Sequence, residues 1–112
     1  MIRYVRLEDL DSFEIAEVKR LSEKNYKKIV RHKELKDAEL LVDVKTHRTS
    51  GKRKKYSVHL KINSPNIILS VSQADWDLPR SLQKAFNNLH NSLVEKFKLG
   101  VRKVMKKKFF RA

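Results

Sequence analysis

Histidine and carboxylate side chains are the residues of this sequence that could do catalytic or metal chemistry. The four histidines are His32, His47, His59 and His90. None of them pairs with another at a metal-ligand spacing such as i, i+4 on a helix. Asp75 and Asp77 form a close carboxylate pair, which we interpret as helix-start chemistry rather than general acid/base catalysis. With two glycines and no cysteine, the chain holds no phosphate-cradling loop, dinucleotide motif or thiol site. We predict a protein that is not an enzyme and needs no metal or cofactor.

The distribution of positive charge is the stronger chemical signal. The 112 residues carry 27 Lys+Arg and 13 Asp+Glu, a net charge of +14. Residues 1–39 are almost neutral, with ten basic and nine acidic side chains, whereas residues 40–112 carry seventeen basic and four acidic ones. Two stretches, 45–61 and 96–112, contain no acid. A merely solubilising surface mixes both signs, so this pattern favours a polyanionic partner.

Three groups of cations are candidates for the binding surface: the late part of a first helix, a hairpin, and a second helix with its tail. We predict nucleic-acid contacts at Lys24, Lys27, Lys28, Arg31, Lys45, Arg48, Lys52, Arg53, Arg80, Lys84, Lys96, Lys98 and Arg102. Each cation that docks on a phosphate releases a counterion, so binding should weaken steeply with salt.

The first half of the chain reads as a strand followed by a helix. Residues 1–7 alternate loosely, as a short strand does. Asp11 and Glu14 then have capping-box spacing, and Leu10 with Ile15 could form a hydrophobic staple. Apolar residues recur at helical spacing from there, which predicts a helix over about residues 12–32.

The second half reads as three strands and a helix. Residues 37–49, 53–63 and 67–72 alternate apolar and polar side chains, with turns at Ser50-Gly51 and Pro65-Asn66, so we expect an antiparallel meander with one apolar face. Asp77 is a good N-cap for a last helix with an apolar stripe from Leu78 to Phe97. Among the aromatic residues, we expect Tyr56 and Trp76 to pack in the core.

The order β-α-β-β-β-α predicts an α+β fold, a two-layer sandwich with two helices on one face of a four-stranded sheet. We assign residues 1–99 to this domain and 100–112 to a basic C-terminal tail. The tail mixes cations with Val104, Phe109 and Phe110, so it could lie on an anionic membrane or be an RNA-binding arm that orders on contact. Given the basic hairpin, we favour the RNA-binding arm.

No apolar run approaches the ~18 residues that span a bilayer, and the N-terminus lacks a signal peptide, so we expect a cytoplasmic protein.

The chain resembles the ribosome hibernation promoting factor family, which includes the ribosome-associated inhibitor and sigma-54 modulation proteins. The element order matches the small domain of that family. The segment 77–93 (DLPRSLQKAFNNLHNSL) is similar to its second-helix signature, with Asp77 at the helix start, Leu82 at the apolar position and Leu89 and Leu93 at the Leu step. Lys96 and Lys98 match the basic residues that close that helix, and the first helix, with Tyr26, Ile29, Lys27, Lys28 and Arg31, is also similar.

The resemblance implies a function. Members bind the small ribosomal subunit in the channel used by mRNA and tRNA and thereby silence idle ribosomes. This chain would be a short member, without the dimerisation domain that pairs ribosomes in long members, so we expect a monomer with the small subunit and its rRNA as partner and no small-molecule substrate.

Two alternatives remain open from the sequence. A double-stranded-RNA-binding domain has the order α-β-β-β-α and a lysine-rich start to its last helix. Here that start is Asp77-Leu78-Pro79-Arg80, which speaks against it. A basic protein of the membrane surface is the other alternative.

Overall fold

Four strands and two helices follow one another in the order that the sequence predicts. The computed structural model of the protein describes residues 1–48, 53–65 and 67–101, with residues 97–101 described by their backbone. The strands are β1 (Ile2–Val5), β2 (Glu39–Arg48), β3 (Lys54–Asn63) and β4 (Ile68–Asp75), and the helices are α1 (Ser12–Val30) and α2 (Leu78–Val101). A short 3₁₀ helix, Lys33–Leu35, joins α1 to β2 and is absent from the predicted element order. The predicted α+β order is confirmed.

Both helices begin at the aspartates that their sequences single out. The Asp11 carboxylate accepts a hydrogen bond from the Glu14 amide at 2.8 Å, and the Glu14 carboxylate accepts one from the Asp11 amide at 3.0 Å. This is the predicted capping box, which satisfies two amides that an unpaired helix start would leave without partners. Asp77 caps α2 in the simpler way, accepting from the Arg80 amide at 3.1 Å.

The strands form one mixed sheet in the order β1-β2-β3-β4. The β2, β3 and β4 strands are the predicted antiparallel meander. The β1 strand lies parallel to β2 because α1 carries the chain back across the sheet between them. In the resulting register Leu40 pairs with Ile62, and Ile62 pairs with Leu69, so the apolar sides of three strands coincide.

The core lies between one face of this sheet and the two helices. The sheet contributes buried side chains such as Val42, Val58 and Leu60, and Phe86 of α2 is the bulkiest fully buried residue. Ile67, Leu69 and Val71 pack against this core as predicted, although they stay half-buried near the edge of the sheet. The opposite face of the sheet is open and mostly polar.

The two helices run in the same direction. At their starts, Tyr56 of β3 hydrogen-bonds Glu14 in the first turn of α1 and pairs in the sheet with Asp75, just before α2. Further along, His90 of α2 meets Asn25 of α1, twelve and thirteen residues beyond Leu78 and Ser12. We call the end where the helices start, and where β2 ends and β3 begins, the hairpin end. The opposite end, where both helices finish, is the helix-exit end.

Candidate nucleic-acid interface

The predicted site residues that the structure describes with their side chains are all exposed. They are Lys24, Lys27, Lys28, Arg31, Lys45, Arg48, Arg53, Arg80, Lys84 and Lys96. Lys98 lies on α2 and is described by its backbone, and Lys52 and Arg102 lie outside the described residues. Exposure makes the ten residues available to a ligand, and their positions divide them into two groups.

The first group lies towards the helix-exit end, and we call it the helix-exit cluster. It consists of Lys24, Lys27, Lys28, Arg31 and Lys96. The first four follow the spacing i, i+3, i+4, i+7, so they share one side of α1 and its C-cap. Residues 24–33 contain no acid, whereas the first turn of α1 carries Glu14. The field of the helix dipole stabilises cations at this end of α1.

Within the described part of the chain, no carboxylate lies within ion-pair distance of the helix-exit cluster. Earlier on the same helix, Arg20 pairs with Glu17 at 3.0 Å. An ion pair occupies a cation that would otherwise face solvent or a ligand. The charges of the helix-exit cluster therefore point outward as a phosphate-binding surface would require.

His90 lies beside this cluster, in the contact between the helices. Asn25 donates its amide to the Leu21 carbonyl at 2.8 Å, which leaves Asn25 Oδ1 to accept from His90 Nε2 at 2.9 Å. Burial lowers the pKa of His90, and the charges of Lys28 and His32 lower the pKa further. The charges that add to the effect of burial show a positive potential, which would attract an anion to the outer surface of the cluster.

The second group lies towards the hairpin end and includes Lys45, Arg48, Arg53, Arg80 and Lys84. About 20 Å separates the two groups along α1, because Lys27 lies 13 residue steps of about 1.5 Å beyond Glu14. One member, Lys84, already pairs with Asp75 at 2.9 Å. The sequence predicted three groups of cations, and the tertiary structure places the described ones at two ends of the molecule.

A carboxylate holds the inner side of the hairpin end together. Glu14 of α1 accepts a hydrogen bond from the Tyr56 hydroxyl and lies 3.5 Å from Lys54 Nζ. Burial raises the pKa of Tyr56, and the hydrogen bond to Glu14 raises it further, to about 12. Burial acts to raise the pKa of Glu14, but the hydrogen bonds from Tyr56 and the Asp11 amide and the charge of Lys54 outweigh it, so that pKa is lowered. Tyr56 is buried, as predicted.

The prediction that Trp76 packs in the core is wrong. Trp76 keeps 41% of its surface exposed. The β4 strand extends to Asp75, three residues beyond the predicted end, and strand alternation then directs residue 76 to the open face. Leu78, which is buried in the first turn of α2, takes the core position instead. Arg53 lies over the Trp76 ring with its Cζ 4.4 Å from the centroid, and Lys55 Nζ lies 5.6 Å from it.

The open face of the sheet carries acids as well as cations. Glu39 pairs with Arg3 at 3.4 Å and Asp43 with Arg6 at 3.2 Å. Arg6 adopts a left-handed backbone, φ 61°, beyond the end of β1. A shallow polar hollow here is lined by Arg6, Asp43, Lys45, Ser57, Val58, His59 and Ser72. The mixed charges make the centre of this face less suited to a polyanion than the helix-exit cluster.

Metal sites and membrane-spanning helices are two other features that the sequence raised. In residues 1–48, 53–65 and 67–101, no group of three His, Cys, Asp or Glu side chains converges as metal ligands would. Across the same residues, neither helix combines the length and apolar character needed to cross a bilayer.

The chain shares its fold with solved structures of other proteins. The chain superimposes on the N-terminal domain of Protein Y from Thermus thermophilus with a TM-score of 0.53 and 22% identity, covering 86% of this chain and 94% of that one. It superimposes on a ribosomal subunit interface protein from Coxiella burnetii with a TM-score of 0.59 and 17% identity, covering 88% and 97%. No protein-family model and no curated protein matches the sequence. At these identities the comparison establishes the fold, and the resemblance in element order inferred from the sequence is thereby confirmed.

Proposed function

We propose that this protein is a non-enzymatic ribosome-associated factor of the hibernation promoting type. It binds rRNA of the small subunit and occupies the channel of mRNA and tRNA, so that translation is inhibited. It acts in the cytoplasm as a monomer, with no small-molecule substrate and without a membrane partner.

The observation that carries this proposal is the helix-exit cluster, which lacks ion pairs among the described residues, on a fold shared with a ribosomal subunit interface protein. The four cations lie on α1 and its C-cap, where the helical backbone is already ordered. Binding therefore loses entropy only by ordering the cationic side chains themselves. A-form RNA offers phosphates and 2′-hydroxyls across a wide minor groove and is recognised mainly by its shape. A convex helical surface with outward cations suits that target.

The mechanism is steric. A compact wedge that docks by phosphate contacts needs no reacting group, because its occupancy alone excludes another chain from the same channel. The predicted contacts are the thirteen cations named from the sequence, led by Lys24, Lys27, Lys28 and Arg31. Lys84 contributes less than the others because Asp75 competes for its charge.

The experiment is sedimentation of the tagged full-length chain with ribosomes through a sucrose gradient, followed by chemical footprinting of the rRNA. We expect the protein to migrate with the small subunit and to protect nucleotides of the decoding channel. The variant Lys27→Gln/Lys28→Gln/Arg31→Gln should shift to the top of the gradient.

The matched control removes three cations from other surfaces: Arg3→Gln/Lys19→Gln/Lys61→Gln. It has the same net charge as the first variant and should still migrate with the subunit. Recovery of the unmodified protein only in the free fractions at low salt would overturn the proposal. Protection of RNA helices without preference for the channel would instead indicate a general binder of structured RNA.

A further inference from the structure

Trp76 is a large aromatic side chain that the structure leaves at the surface, beside two cations. It follows β4 at the hairpin end and directly precedes Asp77, the N-cap of α2. Tyr56 pairs with Asp75 in the sheet, and extending this register by one residue brings Lys55 opposite Trp76. Arg53 lies two residues before Lys55, directly ahead of β3, and its guanidinium lies over the same ring. The three side chains form one group on the open face, which we call the Trp76 platform.

The position of the platform is fixed from the inner side of the sheet. Lys54 and Tyr56, the neighbours of Lys55 in β3, are both held by Glu14 of α1. The strand that carries the cations therefore cannot rotate without losing these contacts. The backbone around Trp76 is held in place by two elements. One is the neighbouring strand β3, and the other is the capped start of α2.

The chemistry of the platform selects its ligand. Two cations at 4.4 and 5.6 Å from the ring centroid repel a cationic ligand, which excludes the quaternary ammonium groups that exposed tryptophans often bind. An apolar protein side chain placed on the ring would remove water from Lys55 without offering its charge a counter-charge. A nucleotide suits the platform, because its base can stack on the aromatic ring while its phosphates lie near the positive charges.

The base must be unpaired for this contact. Bases in a duplex are already stacked on their neighbours, whereas those of loops and single strands can be splayed onto an aromatic side chain. We propose that Trp76, with Arg53 and Lys55, is a stacking site for an unpaired nucleobase of an RNA strand. This inference rests on the proposed function in taking RNA as the partner, but it adds a second contact about 20 Å from the helix-exit cluster along α1.

The test uses the fluorescence of Trp76, the single tryptophan of the chain. The full-length protein is titrated with a single-stranded heptauridylate and with a heptamer of the same backbone that lacks bases. We expect the uridylate to quench the emission and the abasic strand to bind without quenching. Equal quenching by the two strands would overturn the proposal, since phosphates alone would then explain it.

The variants Trp76→Leu and Trp76→Phe separate the ring from its bulk. With fluorescein-labelled heptauridylate as the anisotropy probe, Trp76→Leu should weaken binding on the order of 10- to 100-fold, the range expected for one stacked base, and Trp76→Phe should lose much less. Both variants should keep the melting temperature of the parent within a few degrees, because the residue is exposed. Unchanged affinity of a folded Trp76→Leu variant would overturn the stacking site.

The two proposals can fail separately. If the protein migrates with the small subunit but its emission is not quenched by single strands, the ribosomal function stands and the stacking site falls. If the base-dependent quenching occurs and the protein stays free of ribosomes, the stacking site stands and the ribosomal function falls.

Discussion

The helix-exit cluster and the Trp76 platform are both basic, but they differ in what their cations contact. In the helix-exit cluster, Lys24, Lys27, Lys28 and Arg31 share one helical face with no carboxylate at ion-pair distance in the described residues. At the platform, Arg53 and Lys55 lie over an aromatic ring. The first arrangement attracts any chain of phosphates, whereas the second also offers a surface for a base.

The difference follows from how a helix and a strand space their side chains. A helix places every third or fourth residue on one side, so four cations of a short stretch can follow a phosphate backbone. A strand places alternate residues on one side and a neighbouring strand beside them, so a ring and its flanking cations meet across the sheet. Net charge alone does not distinguish the two surfaces, whereas substitutions in each of them do.

The largest loss of RNA affinity is expected when both regions are changed. Combining Lys27→Gln/Lys28→Gln/Arg31→Gln with Trp76→Leu should lower the affinity for a single-stranded RNA by the product of the separate effects, on the order of 10³- to 10⁴-fold, because sites far apart add in free energy. Anisotropy titrations of the parent and the two separate variants complete the cycle. A combined loss much smaller than the product would mean that the two regions bind one small feature together.

The helix-exit substitutions alone should weaken binding about 100-fold at 0.1 M salt. Each phosphate contact contributes a slope of about 0.7–0.9 in the logarithmic plot of affinity against salt, so losing three contacts should make that slope shallower by about 2–3. Titrations at several salt concentrations measure it. The control is the variant Arg3→Gln/Lys19→Gln/Lys61→Gln, which should change the slope far less, and a parental slope in the helix-exit variant would remove this helical face from the interface.

Replacing Glu14 should destabilise the hairpin end. Glu14→Ala removes half of the capping box together with the contacts to Tyr56 and Lys54, so we expect a loss of about 1–3 kcal/mol in the free energy of unfolding. Thermal melts by circular dichroism measure it, with exposed Glu23→Ala on the same helix as the control. Similar melts for the two variants would contradict the role given to Glu14.

The same contacts predict an alkaline limit to stability. The folded pKa of Tyr56 is raised to about 12, above the value of about 10 for an unfolded tyrosine. The contribution of the protonated hydroxyl is therefore complete below pH 10 and is lost as the pH rises towards 12. Urea titrations across this range should show a smaller pH dependence for Tyr56→Phe than for the parent.

The smallest expected effect is a pH dependence at the helix-exit cluster. The folded pKa of His90 is lowered by burial and by the charges of Lys28 and His32, so its contribution to stability is present above pH ~6.5 and is lost as the pH falls through the folded pKa. RNA phosphates docked near Lys28 would offset part of this repulsion and raise the pKa of His90.

We expect the affinity for RNA to rise by less than tenfold from pH 7.5 to 6.0. His90→Gln should reduce that rise and His47→Gln should leave it unchanged. An NMR titration of the His90 ring that is identical with and without RNA would contradict the coupling.

Local sequence signals predicted the elements and their starts well. Asp11 with Glu14, and Asp77 before Pro79, mark helix starts because capping depends on residues within one turn of each other. The alternation in residues 40–44 and 58–62 fixed which face of each strand is buried, because a strand shifted by one residue would turn its apolar side to water. The 3₁₀ helix Lys33–Leu35 was not predicted. The last residues of β4 were missed as well, because pairing with Ser57 and Tyr56 of β3, rather than local composition, extends β4 to Ala74 and Asp75.

The candidate site contains one group of residues that local sequence predicts and one that it does not. The four cations of α1 could be grouped from their spacing alone, because one helix carries them. The neighbourhood of Trp76 could not be deduced that way, since Arg53 lies 23 positions earlier and reaches the ring through the pairing of β3 with β4.

The sequence by itself determined the element order, the helix caps, the buried faces and the concentration of positive charge, because each depends on residues that are neighbours along the chain. The tertiary structure decided the rest. It brought Asp75 to Lys84, set His90 against Asn25, placed two basic regions at opposite ends, and turned Trp76 outward towards Arg53 and Lys55. These contacts join residues far apart in sequence, and only the packing of two helices on one sheet fixes which of them meet.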